Sequence, residues 1–437
     1  MITKEEIKSM KIDKLTFLNF RCFENYQLSL KRGVNLLFGS NSSGKTTILR
    51  GLKIAMSSFF SGFSDANTRF IGISDADFMS NVNLEIESLE RPVTIEYDLS
   101  DFKNLKLSRS GKKNRTSISA IKSLRDSAKN LYQILAQGDD GTVELPLFAA
   151  FSTEDIHSSR KLDKKIFAKY YQPRSFGYYE CLQGDGFFEY WMYRLLVLAE
   201  GQKSLLEIEV VKNAILTALG KGGCNIIDGM SIRPMKRKIF FDYVDGREVE
   251  YSNLSDGYKR LVNIVTDLSI RCCLLNGIKY STECCNLTSG VVLIDEVDLH
   301  LHPSLQSIVI AALRNTFPRL QFIVSSHAPM VMSSVMTDED NAVIALQYND
   351  GKYDASAIST YGLDASTILQ LYMGKKARVA EVEERITELF NLIDGEDYEK
   401  ANSVLIELEK EFGNTIPEII QARTMLDFNV ECDDQDN

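Results

Sequence analysis

"GVNLLFGSNSSGKTTIL", residues 33–49, decides the fold. The apolar run Gly33–Phe38 reads as a short buried strand, and the pattern turns helical after the polar segment that follows it. That segment, "GSNSSGKT" (39–46), matches GxxxxGK followed by Ser or Thr in a strand-to-helix setting. Gly39 and Gly44 let backbone N–H groups turn toward phosphates, with Ser40, Asn41, Ser43 and Thr47 completing the loop. Lys45 neutralises β/γ charge, and the Thr46 hydroxyl can ligate magnesium. An ATP site served by Mg2+ is therefore expected here.

Three later stretches supply what a phosphate loop alone lacks. "VVLIDE" is an apolar strand ending in acids, which places Asp295 beside the magnesium shell and leaves Glu296 to polarise a water for attack. "FIVSSHAP" repeats the pattern of a strand with a polar tip, and its His327 suits a sensor of the γ-phosphate. "NLSDGYKRL" (253–261) reads as a turn entering a long helix, with Ser255 as cap and Gly257 leaving backbone exposed. A helix start offers free N–H groups and partial positive charge to an anion. His300 and His302 in "DLHLHP" mimic a metal pair, but they follow the acids directly and read as part of the loop at the nucleotide interface. The centre of the chain is less readable. It holds a strand at "VTIEYDL", a helix near 118–137, an apolar strand "LPLFAAF" and aromatic-rich helices over 186–219. A hairpin turning at Asp245-Gly246 follows.

The order of phosphate loop, SDG turn, acid-tipped strand and strand-tip histidine resembles the ABC-class ATPase head of the SMC and RecF kind. That resemblance implies an α/β, ABC-type head of two lobes, in which Ser255, Asp256 and Gly257 of one copy contact the γ-phosphate held by another copy's loop. A homodimer would then be the minimum unit. Asp256 and Tyr258 depart from the transporter form of the signature. Arg21 in "NFRCF" resembles a nucleotide-touching arginine of such heads, and the family's magnesium-contacting glutamine could be Gln137, Gln172 or Gln183. No heptad rod separates loop and signature, and no TOPRIM acids follow His327. The combination of "FRCF", "GSNSSGKTTIL", "LSDGYKRL", "LIDEVDLHLHP" and a short helical tail is similar to the PtuA family. These are ATPase subunits of Septu-type anti-phage systems and of some retron systems. It implies control of a separate HNH nuclease, PtuB, with no nuclease activity in this chain; DNA or a retron's reverse-transcribed DNA is a further conceivable ligand. A RecF-like DNA-repair clamp is the alternative.

Composition sets the outer bounds. The chain has 437 residues, 44% hydrophobic and 25% charged, as in globular proteins of two or three lobes. No run reads as apolar enough to cross a bilayer and the N-terminus carries no apolar signal, so a cytoplasmic protein without membrane contact is expected. The cysteine pairs Cys272/Cys273 and Cys284/Cys285 lack metal-knuckle spacing and read as packed thiols. Net charge is −10, yet residues 378–437 hold 17 acids against 5 bases, so the rest of the chain is close to neutral. Within it, residues 103–129 carry nine Lys/Arg and one Asp, either a solvated insertion or a nucleic-acid patch that includes Lys112, Lys113 and Arg115. The expected division is a head over 1–348, with an insertion at about 101–220, and an acidic helical region over 349–437. In that region two stripes step by three and four, Val379–Val382–Ile386–Leu389–Ile393 and Tyr398–Ala401–Leu405–Leu408–Phe412. They need cover from each other or from a partner.

Overall fold

The computed structural model describes residues 9–79, 91–138, 141–152, 164–184, 188–202, 205–349, 351–374 and 378–433. The extreme acidic tail, 434–437, lies outside them. The chain forms two compact units, residues 1–365 and 366–437.

In the first unit an antiparallel sheet has the order β2-β1-β4-β5, from β1 (Ile12–Phe20), β2 (Phe23–Ser29), β4 (Val93–Leu99) and β5 (Phe102–Arg109). One face of β1 is buried and the other partly wet, which is why its sequence alternates. A second sheet of six strands is mainly parallel, in the order β13-β12-β3-β11-β10-β6. It comprises β3 (Val34–Gly39), β6 (Leu147–Phe151), β10 (Gly290–Ile294), β11 (Leu320–Ser326), β12 (Ala342–Asn349) and β13 (Lys352–Ile358). Every residue of β3, β6, β10 and β11 is buried, so these strands read as continuous apolar runs rather than alternations. A small third sheet joins β7 (Ile227–Arg233), β8 (Lys238–Tyr243) and β9 (Glu248–Glu250), with the expected turn at Gly246, whose φ of 85° suits glycine. A mainly parallel sheet beside an antiparallel one is the α/β architecture that the motif order led one to expect. The β12–β13 hairpin carries the six-stranded sheet beyond residue 348.

Gln321, fully buried on β11, ties the two large sheets together. Its Oε1 accepts from the Ile12 N–H at 2.8 Å, while Nε2 donates to the carbonyls of Ile12 and Lys31 at 2.8 and 2.7 Å. A buried amide satisfied at both ends fixes register where apolar packing alone would let sheets slide.

The helix Asp256–Tyr280 corrects the reading of apolar runs. Over 256–287 the chain is long and apolar enough to cross a membrane, but 89% of its most apolar 18-residue window is buried inside the protein, as befits a core helix. The scattered Arg260, Asp267 and Arg271 hide this run in the sequence, and each is buried too. Arg271 donates to Asp267 at 2.6 Å and to the Gly177 carbonyl at 2.8 Å, and Trp191 Nε1 donates to Asp267 at 2.5 Å. Paired charges are tolerated in such a core; either one alone would not be. The described cysteines are all free, with Cys272, Cys273, Cys284 and Cys285 buried and no metal-holding cluster among the described residues.

In the second unit the helices Ala380–Asp394, Tyr398–Phe412 and Pro417–Asp433 share one core. Leu389 and Ile393 of the first stripe meet Ala401, Leu405 and Leu408 of the second, closed by Ile419, Ala422 and Leu426. The stripes thus cover each other. Val379 is the exception, 72% exposed at the entry to the first helix.

Candidate functional site: a phosphate cradle at the strand tips

The parallel strands β3, β10 and β11 end side by side, and loops at the carboxyl ends of such strands are where open α/β sheets bind ligands. A cavity of about 410 Å³ lies there. It is lined by Asn41 to Thr47, Asp295, Glu296 and His327, and also by Cys22 and Tyr353. The structure thus gathers most of the residues expected of the nucleotide site around one space; Gly39 and Ser40 form the loop's entry.

The loop's shape follows from its glycines. Gly39 sits so close to the Leu346 carbonyl and the Ser43 side chain that a Cβ would lie 2.5 Å from each. Gly44 has φ 95°, and a Cβ there would meet the Phe23 ring at 2.5 Å. Ser42 also has a positive φ, 72°. Positive φ turns the loop over the start of the helix Lys45–Ser57, whose first N–H groups have no partner within the helix. Lys45 is 7% exposed and its Nζ donates to the Gly39 and Ser40 carbonyls at 2.8 and 2.9 Å. Burial pulls its ammonium below the usual lysine range, while Asp295 and Glu296 oppose that pull. Those two carbonyls hold the charge in the cradle.

The acids are set by a residue the sequence reading did not single out. Ser325 Oγ donates to Asp295 Oδ1 at 2.5 Å and accepts from the Glu296 N–H at 2.8 Å. One hydroxyl therefore orients the Asp295 carboxylate and pins the Glu296 backbone. Glu296 adopts φ 50°, a left-handed conformation that costs a non-glycine residue roughly 1–3 kcal/mol and is found where geometry serves function. Asp295 is 6% exposed, and Ser325 engages only one of its two oxygens. With the Thr46 hydroxyl on the same cavity, this donor set suits a hard cation such as Mg2+. Burial, followed by the nearby Lys45 charge, pulls His327 below its ordinary value of 6.5, which favours the neutral ring.

No residue of the signature segment lines this cavity. Ser255 and Asp256 are exposed, and Ser255 Oγ accepts from the Tyr258 N–H at a long 3.5 Å. Gly257 corrects the expectation of exposed backbone: it is buried, and a Cβ there would stand 2.4 Å from the His300 carbonyl. The glycine lets the helix start pack against the loop that follows the acids. From the same helix Arg260 donates to the Asp295 carbonyl at 2.5 Å. His302 caps a short turn by accepting from the Ser304 N–H.

Other candidates stand apart. Arg21 is held by buried Asp77 at 2.9 Å and borders a cavity of about 50 Å³ shared with Thr46 and Asp295. Gln137 ends a helix, Gln172 donates to the Ile166 carbonyl and Gln183 borders a different cavity; none lines the nucleotide cavity. In the basic segment Lys103, Lys106 and Arg109 pair with Asp13, Glu96 and Asp75, which fits a solvated sheet edge. Lys113, Arg115, Lys122 and Lys129 are exposed. Cys22 and Tyr353 went unassigned in the sequence. "FRCF" offered the first as a signal, whereas nothing near Tyr353 marks it.

Residues 34–333 match the family described as "AAA domain, putative AbiEii toxin, Type IV TA system". A retron Vc95 probable ATPase of Vibrio cholerae is 25% identical over 86% of this chain and 81% of its own length. A retron Ec83 probable ATPase of Escherichia coli is 24% identical, covering 97% of this chain and 88% of its own. The Septu protein PtuA of Bacillus thuringiensis is 24% identical over 90% of this chain and 91% of its own.

Proposed function

This chain belongs to the AAA-domain family whose match spans residues 34–333, and from that premise we propose that it is the nucleotide-driven regulator of an anti-phage defence complex. It is an ATPase. The observation that carries the reading is the single cavity in which a phosphate loop, two strand-tip acids and a strand-tip histidine meet. Similarity to retron probable ATPases and to a Septu protein along nearly the whole chain supports the defence setting.

The geometry supports a role for each group. Backbone N–H groups of Gly44 to Thr46 cradle phosphate, and Lys45 exchanges its carbonyl partners for β/γ oxygens. Thr46 and Asp295 would hold Mg2+, which supplies charge neutralisation across the phosphates. Glu296, fixed by Ser325, orients and deprotonates the attacking water. Neutral His327 donates a hydrogen bond to the γ-phosphate. Ser255 and the helix start behind it do not line the phosphate cavity of their own chain, so they serve a second copy. ATP then joins two heads, and the joined pair forms the platform for a separate HNH nuclease. The exposed bases Lys113, Arg115, Lys122 and Lys129, close in sequence, favour one second reading, a RecF-like DNA clamp.

A tagged chain recovered from its native host separates the two. The regulator reading expects a small HNH protein, identified by mass spectrometry, to be retained on the chain and lost from Lys45→Ala. Recovery with DNA alone would transfer the weight to the clamp.

A further inference from the structure

Phosphate chemistry accounts for the loop, Asp295, Glu296 and His327 and leaves part of the lining unexplained. Among the described residues, Cys22 and Tyr353 also line the cavity. Cys22 Sγ donates to Thr47 Oγ1 at 3.7 Å, so it stands beside the first turn of the helix. A nucleotide whose triphosphate runs along the loop must place its sugar and base beyond the α-phosphate, away from the acids.

Tyr353 offers what a base needs there. It sits on β13, half-buried, and its ring is held by two neighbours: Phe23 edge-on at 5.0 Å and Tyr348 at 4.6 Å. Phe23 in turn stacks on Tyr26 at 4.2 Å and lies against Gly44 of the phosphate loop. The ring is therefore pre-set by packing, and its position is coupled to the loop itself. An aromatic face held in this way gains from stacking on any base and loses little side-chain entropy in doing so. Its hydroxyl titrates well above neutrality, driven first by burial.

We propose that Tyr353, on the β12–β13 hairpin beyond the matched family segment, is the base-stacking residue of the nucleotide site. It converts a triphosphate cradle into a nucleoside triphosphate site. The proposal rests on the nucleotide-site reading above. Because stacking uses the ring face, the ring binds bases without choosing among them.

The test compares ATP with inorganic tripolyphosphate, which has the phosphates and no base, by calorimetry with Mg2+ on the full chain. Tyr353→Ala is expected to weaken ATP about tenfold, within the usual worth of one base–aromatic stack, while tripolyphosphate binds unchanged. Tyr353→Phe should bind both as the parent does. Unchanged tripolyphosphate binding also shows that the variant folds. As a second measurement, the indole of Tyr353→Trp should change its emission with ATP and not with tripolyphosphate. Equal weakening of both ligands by Tyr353→Ala, or of neither, overturns the stacking role. A parent chain that binds neither ligand defeats the nucleotide-site reading, and this role with it.

Discussion

The phosphate loop and the signature helix start are both polar turns entering a helix, yet the structure treats them oppositely. The loop is closed on itself: Lys45 is buried on two carbonyls and faces its acids across a common cavity. The signature presents Ser255 and Asp256 outward with a weak cap, and the buried Gly257 is used for packing rather than binding. A site complete in one chain should lose function locally when damaged. A site waiting for a second chain should lose association first.

The largest effect that would sharpen this contrast is at the loop. Lys45→Ala is expected to lower ATP affinity by about two orders of magnitude, since a buried charge aimed at phosphate is lost. Calorimetry that still found tight binding would break the comparison at its strong end. Glu296→Gln should leave ATP affinity within about twofold while cutting turnover about a hundredfold or more, as for removal of a general base, read by phosphate release. Undiminished turnover removes Glu296 from that role. Ser255→Arg should leave the affinity of a single chain for ATP at the parent value and abolish ATP-dependent association. Equal losses of both would mean that the two regions are not separable.

Smaller effects probe the supports. Ser325→Ala removes two hydrogen bonds worth about 1 kcal/mol each, so turnover should fall by up to about thirtyfold with ATP affinity nearly unchanged. A matching loss of affinity would make Ser325 a general scaffold instead. His327 gives the smallest signal. Its folded pKa lies below 6.5, so the unfolded chain takes up the proton first as pH falls. Stability should be level above about pH 6.5 and decline below it toward the folded value, and urea titrations should show a shallower decline for His327→Asn. An unaltered decline would assign the effect to other groups.

The phosphate loop was legible because its chemistry is local: eight consecutive residues carry the turn, the charge and the hydroxyl. The acids and the histidine were legible as tips of apolar strands, since a buried strand must end where polar groups begin. Ser325 was not, although it stands in the quoted "SSHAP", because its two bonds reach to the tip of a neighbouring strand. Gly257 was misread for the same reason: the loop that covers it follows the acids, far along the chain. Tyr353 depends on a hairpin pairing that places β13 two strands from β3. The helix 256–280 was hidden by charges that pair inside the core, and the tail's stripes were visible as periodicities without showing that each covers the other.

The central claim is that ATP completes the site by joining two copies through the signature. Light scattering of Glu296→Gln, with and without ATP and Mg2+, tests it most directly. The account predicts a mass that doubles only with ATP, and no doubling once Ser255→Arg is added. A mass indifferent to ATP, or a doubling that survives Ser255→Arg, would contradict it.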